Sequence, residues 1–133
     1  MIRLLTASLA ALPLLTGAPA RAADAGATVT PIVQQKLPGA PGKTLSAVVV
    51  TYEPGAASPS HHHAGTVFAY VIEGTIRSAL NDGEPRDYKA GETFTEPPGT
   101  HQAVSANAST TEPAKLLAIF VAEDGSQLTV FDK

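Results

Sequence analysis

The chain has 133 residues and no cysteine, and its 12 acidic residues outnumber the 9 basic ones, which gives a formal net charge of −3. This acidic balance, with lysines and arginines scattered along the chain, argues against a nucleic-acid partner. The absence of cysteine excludes disulfides and thiolate metal ligands, so a packed core must supply the stability and any metal ligands must be His, Asp or Glu.

The first residues are typical of a secretory signal peptide. A basic start at Arg3 precedes an apolar run, Leu4 to Leu15, that is too short to span a bilayer, and small residues follow. Cleavage is expected after Ala20 or Ala22, so residues 1–22 are excluded from the fold. We therefore expect a periplasmic or secreted protein without stable membrane insertion.

The mature chain reads as one small all-β domain. Residues 23–43 are rich in Ala, Pro, Gly and Thr and predict an extended N-terminal arm with one edge strand near Thr28–Val33. Residues 44–133 have the length of a single domain. Their β-branched and apolar runs predict strands at 44–53, 66–72, 75–80, 84–89, 92–96, 101–106, 115–122 and 127–131. Many short strands with Gly/Pro turns indicate an antiparallel sandwich or barrel, closed as in a jelly roll.

Two histidines, His61 and His63, lie one residue apart in a strand-like segment. Residues two apart in a strand point to the same face, so both imidazoles can be aimed at one point while His62 faces away. Imidazole is a common ligand of transition metals. A further histidine, His101, follows a Pro/Gly turn. If it converges with His61 and His63, the three side chains form a candidate metal site.

The first of these segments resembles a motif of the cupin superfamily. That motif is a Gly, five residues, His-x-His, three or four residues, a Glu, six residues and a Gly. Gly55, His61, His63 and Gly74 fall at matching positions, whereas Val67 stands where the family has its Glu. A Glu would add negative charge and an oxygen ligand, and Val adds neither.

The second segment resembles the other cupin motif, a Gly, five residues, Pro-x-Gly, two residues and a His. Gly91, Pro97 and Gly99 match, and His101 follows Gly99 one residue earlier than the motif has it. The resemblance is to a small, single-domain cupin of the type-2 kind. It implies an all-β, cupin-type antiparallel β-barrel, the double-stranded β-helix or jelly roll.

The resemblance also implies a site and its cofactor. His61, His63 and His101 would hold a divalent transition metal, Fe, Mn, Ni, Cu or Zn. Because Val67 supplies no charge, such a three-His site would be open and more positive than usual. Glu96 is a candidate catalytic acid or base or a replacement ligand, and the other candidate pocket residues are Val67, Tyr52, Tyr70 and Phe94.

Two functions remain open from the sequence. One is a metal-dependent oxidoreductase, dioxygenase-like, acting on a small organic substrate. The other is a non-catalytic module that binds or senses a small ligand or a metal. Cupins often form dimers, and the predicted N-terminal strand is a candidate for a homodimer contact.

Overall fold

The computed structural model describes residues 26–133, so the predicted signal peptide lies outside the described residues. Within them the chain forms eleven β-strands, which in chain order are β1 (Ala27–Lys36), β2 (Lys43–Tyr52), β3 (Ala57–Ser58), β4 (His61–His63), β5 (Thr66–Glu73), β6 (Thr75–Leu80), β7 (Arg86–Lys89), β8 (Thr93–Glu96), β9 (His101–Asn107), β10 (Ala114–Glu123) and β11 (Thr129–Phe131). Residues 26–133 contain no helix with the length and apolarity of a membrane span. The all-β prediction is confirmed.

The strands form two sheets that enclose the core. The first sheet has the order β1-β2-β10-β5-β8, and the second has the order β11-β4-β9-β6-β7 with β3 beside β9. The pairing is antiparallel, and buried residues alternate with exposed ones along β5 and with half-buried ones along β10. Such alternation is expected where one face of a sheet covers the core and the other faces outward.

The core consists of two clusters of buried apolar residues. The larger cluster includes the side chains of Tyr52, Ile76 and Phe94. A smaller cluster contains only Val67, Ala118 and Phe120 as fully buried members. Both clusters border a cavity between the sheets, with Tyr52 of the larger cluster and Val67 and Phe120 of the smaller one in its wall.

The N-terminal arm contributes a full strand to the first sheet. β1 pairs with β2 from Ala27 to Lys36, apart from a register shift between Pro31 and Val33. It is therefore longer than the predicted edge strand, and nearly all of its residues are exposed. The pairing with β2, the next strand along the chain, extends β1, and the composition of the arm alone does not reveal it.

Candidate functional site

A cavity of about 870 Å³ lies between the two sheets. Apolar side chains of β2, β5 and β10 cover much of its wall, and four buried polar side chains come together at one end: His61, His63, Glu96 and Gln102. An apolar cavity with a few convergent polar groups is the usual form of a small-molecule site.

The two histidines are held in one orientation by backbone carbonyl groups. The Nδ1 of His61 donates to the carbonyl oxygen of Pro59 at 2.7 Å, and the Nδ1 of His63 donates to that of Leu128 at 3.0 Å. Because a carbonyl only accepts, each neutral ring carries its proton on Nδ1 and a lone pair on Nε2. Metal-binding histidines are oriented in this way by their second nitrogen.

Aromatic contacts fix the ring planes further. The rings of His61 and His63 are edge to face, with centroids 4.7 Å apart. Phe120 packs edge to face on His63 at 5.1 Å, and Phe131 packs on His61 at 5.8 Å. The imidazoles are therefore part of a packed wall and lose little freedom when a ligand binds.

Glu96 is the carboxylate of this site. It is 2% exposed, and its Oε2 has no hydrogen-bond partner among residues 26–133. That oxygen lies 3.9 Å from the Nε2 of His63. Burial raises the pKa of Glu96 to about 7. An unsatisfied buried carboxyl group costs folding free energy, which makes it a candidate for binding a ligand.

His63 is uncharged at neutral pH. Its pKa is lowered to about 4, mainly by burial and also by the neighbouring His61, although the hydrogen bond to Leu128 opposes both effects. Although His63 and Glu96 lie 3.9 Å apart, they do not form a charged pair, because a neutral imidazole faces a carboxyl group that is largely protonated below pH 7. Neutral imidazole is the form that binds metals.

The structure does not bring His101 to the histidine pair. His101 lies opposite His62 in the β4–β9 register, and residues directly opposite share a face. Its Nε2 lies 2.7 Å from an oxygen of Asp132 and 2.7 Å from the hydroxyl of Ser60, on the outer side of the sheet. The predicted three-His arrangement is therefore not assembled.

Gln102 occupies the place expected for the third histidine. It lies opposite His61 in the same register and is 4% exposed. Gly99 has a positive φ of 78° in the turn before β9, and the residue third after it is Gln102. A shift of one residue turns a side chain to the other face of a strand, so His101 points outward. The sequence analysis missed Gln102, although the two-residue spacing of the motif identifies it.

Only some of the predicted pocket residues line the cavity. Val67 and Tyr52 line the cavity. Phe94 lies in the larger core cluster and packs on Tyr88 at 4.7 Å. Tyr70 is 39% exposed on the outer face, because it has the opposite parity to Val67 on β5. The structure thus places Tyr70 outside the cavity.

The residues present fit a divalent transition metal in part. Within residues 26–133, no three His, Asp or Glu side chains already form a metal-binding group. The site nevertheless offers two Nε2 lone pairs and one unsatisfied carboxylate oxygen, the donor set of a two-histidine, one-carboxylate centre. Glu96 lies directly opposite Val67 in the β5–β8 register, so it brings a carboxylate next to the position where the motif has its Glu.

Solved structures show the same fold. One is an uncharacterized protein with a double-stranded β-helix domain from Klebsiella pneumoniae subsp. pneumoniae MGH 78578, 20% identical with a TM-score of 0.64, over 85% of this chain and 90% of that chain. An oxalate oxidase in complex with the substrate analogue glycolate is 25% identical with a TM-score of 0.63, over 90% of this chain and 62% of that chain.

A third similar structure is the DMSP lyase DddQ from Ruegeria pomeroyi DSS-3. It is 21% identical with a TM-score of 0.57, over 65% of this chain and 42% of that chain. The comparison with curated proteins gives no match. The structural likenesses confirm the double-stranded β-helix predicted for this chain.

The family follows from the sequence itself. The model of the cupin domain matches residues 48–120, more than half of the chain, and this stretch contains His61, His63, Glu96 and Gln102. The chain belongs to the cupin family.

Proposed function

We propose that this protein is an exported, metal-dependent cupin oxidoreductase in which His61, His63 and Glu96 hold a divalent transition metal. The observation that supports this most strongly is the unsatisfied Oε2 of Glu96, buried 3.9 Å from the free Nε2 of His63. A bound cation would give the carboxylate and both imidazoles a common partner. Its positive charge would offset the cost of burying the carboxylate of Glu96.

The proposed substrate is a small, oxygen-rich organic acid. Two neutral imidazoles and one carboxylate leave a divalent cation with net positive charge, which favours an anionic oxygen ligand. Bound there, the metal would polarise a substrate oxygen as a Lewis acid. The cavity of about 870 Å³ has room for a small organic molecule beside the polar end.

The protein's own residues would orient and shield the reacting groups. Pro59 and Leu128 hold the histidine rings through their carbonyl oxygens. Phe120, which is 5% exposed, packs against His63 and limits the access of water to that ring, and Phe131 packs against His61. Exclusion of water strengthens electrostatic contacts between the site and a bound anion.

The similar structures support this class of function. One is described as an oxalate oxidase with a bound substrate analogue, another as an oxalate decarboxylase, and a third as a DMSP lyase. Each of these proteins acts on a small organic compound. This chain spans 62% of the oxalate oxidase and 24% of the oxalate decarboxylase, so their activities guide the choice of test compounds only.

A second function, non-catalytic binding of a small ligand, is favoured by a different observation. Val67 and Gln102 occupy two positions that carry a Glu and a His in the family motifs, so two of four expected ligands are missing. A site with fewer ligands binds its metal less tightly. Such a cavity could capture a small organic molecule without converting it.

Metal titration tests the ligand assignment. The purified protein is stripped with a chelator and titrated with Mn, Fe, Co, Ni, Cu and Zn ions, and calorimetry and elemental analysis give affinity and stoichiometry. We expect one ion per chain, with binding lost in His61→Ala, His63→Ala and Glu96→Gln. His101→Ala is the matched control and should bind as the wild type does, because its ring lies outside the cavity.

The outcomes separate the roles of Glu96 and His101. If Glu96→Gln binds the metal normally but loses turnover, Glu96 is an acid or base and the ligand assignment is wrong. Loss of binding in His101→Ala would contradict the outward position of that ring. Oxygen consumption by the metal-loaded protein with small carboxylic, keto and phenolic acids distinguishes the oxidoreductase from a binding module.

A further inference from the structure

The wall of the cavity contains a second group of polar side chains, separate from the proposed metal ligands. The hydroxyl groups of Tyr52, Ser58 and Ser105 form this group, and all three residues line the cavity. The hydroxyl oxygen of Tyr52 lies 2.9 Å from the Oγ of Ser58 and 2.8 Å from the Oγ of Ser105, so it is hydrogen-bonded to both serines. We call these three residues the hydroxyl cluster.

The register of the second sheet separates the hydroxyl cluster from the histidines. Ser58 pairs with Ser105, whereas His61 pairs with Gln102, so each of the two chain segments advances by three residues between these pairs. At about 3.3 Å per residue, this is a distance of about 10 Å along the strands. The cavity therefore carries polar groups at two separate places, which are called here the histidine end and the hydroxyl cluster.

The first sheet covers the space between these two places with apolar side chains. On this sheet the histidine end is marked by Phe120, which packs on His63, and the other limit is Tyr52, opposite Ala114. Five apolar residues lie between these limits and line the cavity: Val48, Val50, Ala69, Leu116 and Ala118. Their side chains form no hydrogen bonds, so the middle of a ligand that spans the cavity must be apolar as well.

The two serines can accept a hydrogen bond from a ligand. Each hydroxyl oxygen has two lone pairs, and the bond to Tyr52 uses at most one of them. Among the described residues, neither serine hydroxyl has another hydrogen-bond partner. Ser105 is 4% exposed, so bulk water has little access to its oxygen. The hydroxyl cluster carries no charge, and it therefore suits a neutral hydroxyl donor better than an ammonium group.

We propose that the substrate is a hydroxy acid that spans the cavity. Its carboxylate binds at the histidine end, its apolar chain or ring lies in the middle, and a hydroxyl group at its far end donates to Ser58 or Ser105. This inference rests on the proposed function, because the metal holds the carboxylate. The two serines are then specificity-determining residues, since an analogue without the hydroxyl group leaves their buried oxygens without that partner.

A matched pair of acids tests this assignment. Para-hydroxycinnamate and cinnamate differ by one hydroxyl group at the end opposite the carboxylate. In calorimetric titration of the metal-loaded protein, we expect para-hydroxycinnamate to bind about tenfold more tightly, the effect of one hydrogen bond to a buried group. Ser58→Ala and Ser105→Ala should each reduce this preference, and the double variant should bind the two acids equally while its affinity for cinnamate is kept.

Ser46→Ala is the matched control. Ser46 is also a buried serine, but it does not line the cavity, so its variant should keep the full preference for para-hydroxycinnamate. Urea unfolding shows whether each variant is folded. If the double variant does not fold, the two single variants decide the question.

Three results would overturn the proposal. These are equal binding of the two acids by the wild type, binding of neither acid, and a full preference that persists after both serines are replaced, singly or together. Failure of the proposed function is recognised separately by the metal titration described above. If the protein binds no metal, the two acids are compared on the metal-free protein, where the preference should persist because the serines recognise the hydroxyl group without the metal.

Discussion

The buried pair of His63 and Glu96 makes a specific prediction about stability and pH. In the folded protein without metal, the pKa of Glu96 is higher than that of His63, which reverses their usual order. The reason is that burial disfavours the charged form of each group. Replacing either group by glutamine should therefore change how the free energy of unfolding depends on pH. The two replacements should change it in opposite directions.

The effect of Glu96 has the following sign and size. Burial raises its pKa from 4.5 to about 7. Its contribution is fully favourable below pH 4.5 and is lost as the pH rises through about 7, since only the unfolded chain ionises in this interval. At ~1.4 kcal/mol per pH unit, the loss is ~3 kcal/mol.

The effect of His63 has the opposite sign. Burial lowers its pKa from 6.5 to about 4, so its contribution is present above pH 6.5 and is lost as the pH falls through about 4. In the interval that both groups share, the folded state holds one proton on Glu96 and the unfolded state holds one on the histidine. The numbers of bound protons are equal, so the two slopes cancel in the wild type.

Urea unfolding in excess chelator, measured at several pH values between 4 and 7, tests this reasoning. Relative to the wild type, Glu96→Gln should gain stability as the pH rises, and His63→Gln should lose it, each by up to ~1.4 kcal/mol per pH unit. The double variant should restore the flat profile. If both single variants follow the wild-type profile, the burial argument is refuted.

Three further substitutions test the site and its support. Gln102→His should place a third imidazole opposite His61 and tighten metal binding at least about tenfold in calorimetric titration. Phe120→Ala, at a position 5% exposed, should destabilise the fold by about 3 kcal/mol in urea unfolding and loosen the ring of His63. Gly65→Ala should cost about 2 kcal/mol or more in the same assay, because its Cβ would lie 2.2 Å from the carbonyl oxygen of Val121.

The local elements of the fold could be predicted from the sequence, because strand runs and turn residues are local signals. The predicted strand Thr75–Leu80 has the observed bounds, and Asn81 in the following turn has a positive φ of 53°. β3, a two-residue strand, was not predicted, since two residues carry no periodic pattern.

The candidate site was predicted less completely, because convergence depends on parity and register. His61 and His63 could be paired by alternation alone. The same rule, applied consistently, separates Tyr70 from Val67 and turns His101 outward. The approach of Glu96 to His63 could not be predicted, since it depends on the pairing of β5 with β8 and on how the two sheets close around the cavity.

Exchanging the residues at positions 67 and 96 tests whether Glu96 replaces the carboxylate that the family motif has at position 67. The two residues are directly opposite, and side chains in such pairs start about 5 Å apart, so a carboxylate on either strand can reach the same end of the cavity. The double variant Val67→Glu with Glu96→Val keeps one carboxylate and should retain metal binding that Glu96→Val alone abolishes. Val67→Glu alone should lose stability above neutral pH, since two buried carboxylates repel each other without metal. Equal metal binding by Glu96→Val and the double variant would show that neither position supplies a ligand.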